Sequence, residues 1–109
     1  MLTVEKNIPE NRLVIAVEGD FDAEIAGQAR QQLEDIVNDW FGDVEIDLFK
    51  TEFLDSSGIG AIVYLFKRLN ARNQVFQLSG VVGQPKEIIE MLRIDRAIPI
   101  ISQNAGHAI

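Results

Sequence analysis

Apolar residues in this chain switch between two spacings, every second position and every third or fourth, and that switch recurs along its length. Leu2, Val4 and Ile8 fall on alternate positions and read as a half-buried first strand, closed by turn chemistry at Pro9-Glu10-Asn11. Leu13 to Val17 is apolar throughout, as a central strand would be. Gly19 ends that run, and Asp20 and Asp22 are candidate helix N-caps. From Ala23 to Phe41 the spacing of Ile25, Ala29, Leu33, Ile36, Val37 and Trp40 is helical, and Gly42 is a plausible stop. Trp40 and Phe41 are expected to complete the core.

Val44, Ile46 and Leu48 alternate with Glu45 and Asp47, which predicts a strand with one wetter face. A second helix should start near Ser57, burying Ile59, Ile62, Val63, Phe66 and Leu69 and exposing Lys67 and Arg68. Val75 to Leu78 reads as a short strand. Pro85 suits the first turn of a third helix whose apolar stripe is Ile88, Ile89, Met91 and Leu92. Ile98 to Ile101, interrupted by Pro99, suggests a last edge strand, and Ser102 to Ile109 is weakly specified. Short connections between such elements imply one α/β domain over residues 1–109. Its mixed sheet should have about four to five strands, packed against three to four helices on at least one face. The opening hairpin should be antiparallel and the helix-linked strands parallel.

Composition narrows the function. A chain of 109 residues is long enough for one core without staples, and the absence of cysteine excludes disulfides and thiolate chemistry. Seventeen acidic residues against ten basic ones give a net charge of −7, which argues against direct nucleic-acid binding. No apolar run approaches the length of a membrane span, and the N-terminus lacks a signal layout. A cytoplasmic protein is expected.

The informative stretch is Phe53-Leu54-Asp55-Ser56-Ser57-Gly58-Ile59-Gly60, at the junction between a strand and the second helix. It sets two hydroxyls and a carboxylate at a helix N-terminus, where backbone N–H groups are unpaired and the macrodipole is positive. A phosphate on an exposed seryl oxygen there would meet favourable donors. The plainer reading is that Asp55 and Ser57 cap the helix and Ser56 fills a turn. Gly58 and Gly60 would let another surface approach the backbone.

Catalysis is not expected. The single histidine, His107, lies in the tail far from Ser56, and Leu54 stands where a nucleophile elbow needs glycine. Asp20, Asp22 and Glu24 are read as caps rather than metal ligands, and Gly58-x-Gly60 lacks the rest of a nucleotide loop. No cofactor or metal is expected.

The segment from Asp55 to Gly58 resembles the signature of the STAS family, the domain of anti-sigma-factor antagonists and of sulfate-transporter C-termini. Gly19-Asp20-Phe21-Asp22 resembles the family's earlier Gly-Glu-Leu-Asp run, and the element order matches over essentially the whole chain. Two positions depart from the pattern: Ile59 replaces the usual Leu, and Arg93 stands where relatives often have Gly after the third helix. The resemblance implies a bacterial regulator of transcription in which Ser56 is the phosphorylated serine and Ser57 a secondary candidate. Asp20, Asp22, Asp55, Ser57, Gly58, Ile59 and Gly60 would surround that site and meet a partner. It further implies that the unmodified protein binds a serine kinase acting as an anti-sigma factor, that phosphorylation breaks the complex, and that a PP2C-type phosphatase restores it. The family's other outcome is a constitutive structural subunit of a lipid-transport ATPase complex or a stress-sensing assembly.

Overall fold

A computed structural model describes residues 1–101, so the tail and His107 lie outside the described residues. The first strands, β1 (Leu2–Asn7) and β2 (Arg12–Val17), form the antiparallel hairpin, with Leu2 opposite Val17 and Asn7 opposite Arg12. After the three-residue β3 (Gly19–Phe21) comes α1 (Ala23–Asp39), then β4 (Asp43–Asp47), β5 (Thr51–Leu54), α2 (Ser56–Asn70), β6 (Phe76–Ser79) and α3 (Gly83–Met91). A 3-10 turn, Ile94–Arg96, follows. The main sheet runs β1-β2-β4-β6, parallel from β2 onward, and β3 and β5 make a separate parallel pair.

This is the expected mixed α/β layer, with the core on one face of the sheet. Leu13, Ile15 and Val17 of β2, Val44 and Ile46 of β4, and Phe76 and Leu78 of β6 point to that face. They pack against Leu33, Ile36 and Val37 of α1, Ile62, Leu65 and Leu69 of α2, and Ile89 of α3. Alternation explains why β2, apolar throughout, still has two unlike faces: Val14 and Ala16 turn away from the core and are only half-buried.

Several expectations need correction. Glu45 was expected to be wet, yet it is buried on the far face of β4, where Ser79 Oγ donates to its Oε2 at 2.7 Å. Its Oε1 accepts from Arg12 Nη1 at 3.4 Å, so the carboxylate is satisfied rather than solvated. The first helix stops at Asp39, where the Trp40 N–H donates to the Ile36 carbonyl. Trp40 is half-buried and donates its indole N–H to the Asp43 carbonyl, while Phe41 lies exposed beneath Arg72. The inward stripe of α2 is Gly58, Ile62, Leu65 and Leu69; Ile59, Val63 and Phe66 are half-buried flanks.

Pro85 does sit in the first turn of α3, with Ile89 buried, but Met91 and Leu92 face outward. Val75 precedes β6 and is exposed, and the expected last strand reduces to one bridge between Leu78 and Ile100. Around that bridge the Leu78 N–H donates to the Pro99 carbonyl and the Ile101 N–H to the Leu78 carbonyl. Arg93 has a φ of +59°, a left-handed conformation that favours glycine. Arg93 adopts it at a cost of about 1–2 kcal/mol.

Candidate functional site

The two short strands build the site. Thr51 Oγ1 donates to the Val17 carbonyl and the Gly19 N–H to the Lys50 carbonyl, which brings the start of β5 beside β3. Register then sets Asp20 opposite Phe53 and Phe21 opposite Leu54, so Asp22 and Asp55 leave the pair side by side. The Asp55 N–H donates to the Phe21 carbonyl at 3.3 Å, joining the two exits.

Both carboxylates are helix caps. Asp22 Oδ1 accepts from the Ile25 N–H at 3.1 Å at the start of α1. Asp55 Oδ1 accepts from the Ser57 N–H at 2.8 Å and the Gly58 N–H at 3.0 Å at the start of α2. Ser56, the first residue of α2, is exposed. Ser57 is half-buried against the groove between α1 and α2, lined also by Ala26, Ala61 and Tyr64. The cap therefore comes from Asp55, which accepts from the Ser57 and Gly58 N–H groups, and not from Ser57. Asp20 is an exposed residue of β3 and not a cap.

Gly58 and Gly60, treated alike in the sequence, differ. Gly58 is buried where α2 crosses β3: a Cβ there would lie 2.6 Å from Leu54 Cδ1, 3.0 Å from Phe21 Cγ, and against the Phe21 carbonyl oxygen. The surface it admits is the chain's own. Gly60 is exposed, with nothing near the position a Cβ would take, and Ile59 is half-buried between them. Gly58→Ala should therefore cost about 1–3 kcal/mol by overpacking. Gly60→Ala should instead stabilise by about 0.5–1 kcal/mol through helix propensity. Urea midpoints that move equally for the two variants would contradict this placement of α2.

In the sequence Phe21 stands within a motif that gives it no structural role, and nothing singles out Thr51 or Gln84. Phe21 and Thr51 are buried and fix the β3–β5 pair. Gln84 of α3 reaches the last residue of β5, its Oε1 accepting from the Leu54 N–H at 2.8 Å and its Nε2 donating to the Leu54 carbonyl at 3.0 Å. Strands of three and four residues are too short to show a period, and a side-chain bond spanning 30 residues leaves no local signal. Among the described residues no group of three or more His, Asp or Glu is gathered as a metal site, and no helix is long and apolar enough to cross a membrane.

Solved structures with this fold include an anti-sigma factor antagonist from Mycobacterium paratuberculosis (TM-score 0.83, 22 % identity, covering 99 % of this chain and 89 % of that one). The anti-sigma factor antagonist SpoIIAA in its unphosphorylated form is also similar (TM-score 0.75, 17 % identity, 99 % and 94 %). So is the Bacillus cell fate determinant SpoIIAA in its phosphorylated form (TM-score 0.78, 16 % identity, 99 % and 96 %). The family model of the STAS domain matches residues 3–106, and the chain therefore belongs to the STAS-domain family.

Proposed function

We propose that this protein is an anti-sigma factor antagonist whose binding to an anti-sigma-type serine kinase is switched by phosphorylation of Ser56. The observation that carries the reading is an exposed seryl hydroxyl at the first position of α2, beside a carboxylate that already caps the helix. A kinase can reach such a hydroxyl, and a phosphate on it adds charge to the surface without entering the core. Similarity to SpoIIAA, solved in both phosphorylated and unphosphorylated forms, supports the same reading. A PP2C-type phosphatase would reverse the modification.

The protein acts here by binding and not by catalysis. Asp22 Oδ1 and Asp55 Oδ1 accept the backbone N–H groups at the starts of α1 and α2, which makes both residues helix caps in this reading. Incubation with ATP and anti-sigma-type serine kinases of the same genome, followed by peptide mass spectrometry, tests the assignment. One phosphate on Ser56, absent from Ser56→Ala, is the expected result. No incorporation, with stable co-purification of a transport ATPase or stress complex, would replace the switch with a constitutive scaffold.

A further inference from the structure

We propose that Gln84 is a positioning residue for the Ser56 turn, an inference that rests on Ser56 being the phosphorylated serine. Successive residues of a parallel strand direct their backbone polar groups to alternate sides. At the end of β5, Asp55 turns its N–H to the Phe21 carbonyl of β3, and Leu54 turns both its N–H and its carbonyl the other way. On that side no strand follows. The amide of Gln84 takes its place, accepting from the Leu54 N–H at 2.8 Å and donating to the Leu54 carbonyl at 3.0 Å. The turn leading to Ser56 is thus held from both edges, by β3 and by α3.

The residue type fits this role. Gln84 lies in the first turn of α3, where the helix dipole favours glutamate over a neutral side chain. A carboxylate could accept from the Leu54 N–H but could not donate to its carbonyl; only the amide supplies both groups. The helix itself draws nothing from the side chain, since α3 has no side-chain cap bond. Gln84 therefore serves β5. Phosphoryl transfer to Ser56 needs its hydroxyl in line with the donor phosphate, and a displacement of about 1 Å can cost about 100-fold in rate.

The test compares wild type with Gln84→Glu, which keeps length but loses the donor, and Gln84→Met, which keeps shape but loses both bonds. Amide exchange by nitrogen-15 NMR needs no kinase. In Gln84→Met the Leu54, Ser57 and Gly58 amides should exchange about tenfold faster, a loss on the scale of one to two buried hydrogen bonds. Ile46 in β4 should be unchanged. With a kinase that phosphorylates wild-type Ser56, kcat should fall about tenfold while KM stays within about twofold, because the exposed docking surface is untouched. Ile89→Val, a stability control in the same helix, should keep the wild-type kcat.

Unchanged exchange at Leu54 and Ser57, an unchanged kcat, or an equal loss in Ile89→Val would overturn the proposal. If wild type takes no phosphate at Ser56, the switch reading fails by itself, and the exchange result alone decides whether Gln84 holds the turn.

Discussion

Phosphorylation of Ser56 is expected to weaken binding to the anti-sigma-type partner by roughly 30- to several-thousand-fold while leaving the fold intact. The modification adds about −1.5 to −2 charge at the first position of α2, beside the Asp55 and Asp22 exits from the β3–β5 pair. A free helix N-terminus would offset about 0.3–1 kcal/mol of this. Here Asp55 Oδ1 already accepts from the Ser57 and Gly58 N–H groups, so the offset should sit at the low end of that range. The phosphate nevertheless stays in water on the free protein, because Ser56 is exposed, and no core contact is disturbed. At an interface shaped around a neutral hydroxyl it would be desolvated without donors. Such an unpaired charge costs about 2–5 kcal/mol, which sets the expected range in affinity.

Ser56→Ala should bind constitutively, and Ser56→Asp, with less charge, more weakly than wild type. Ser57→Ala should leave both switching and stability close to wild type, since Asp55 supplies the cap. Titration calorimetry against the kinase, with circular dichroism as the folding control, measures wild type, its phosphorylated form and the three variants. Equal affinities for the alanine, aspartate and phosphorylated proteins would remove the switch.

What could be read beforehand depended on how far each feature extends along the chain. The hairpin, the parallel order and the long helices follow from periodicity over many residues, and Asp55-Ser56 at the start of α2 follows from a strand meeting a helix. The β3–β5 pair has three and four residues, too few for a period, and its identity rests on contacts between distant segments such as Thr51 with Val17. Glu45 looked wet because alternation assigns a face without saying whether that face is covered; Ser79 and Arg12 decide it from other strands. The roll of α2 was ambiguous for a related reason. A stripe through 59, 62, 63, 66 and 69 and one through 58, 62, 65 and 69 both satisfy helical spacing. Only the fit of Gly58 against Phe21, which no local pattern encodes, turns the second one inward.

That roll predicts an inversion of the usual order of core substitutions. Leu65→Ala should cost about 2–5 kcal/mol, because the side chain is fully buried between α2 and the sheet and its removal leaves a cavity. Phe66 is the larger side chain, but it is half-buried at the margin, in a tilted contact with Phe76 at 6.2 Å between ring centroids. Removing it gives up less area that was withdrawn from water, and solvent can fill part of the space. Phe66→Ala should accordingly cost about 1–2 kcal/mol, within the common range for single substitutions and well below the figure for a fully buried aromatic. Against a total stability of about 5–15 kcal/mol, Leu65→Ala would remove a large share and Phe66→Ala a modest one. Urea denaturation followed by circular dichroism, with slopes matching wild type so that midpoints report stability alone, gives the comparison. If Phe66→Ala proves the more damaging of the two, α2 is rolled toward its other stripe, and the contact of Gly58 with Phe21 that sets Ser56 at the surface would have to be redrawn.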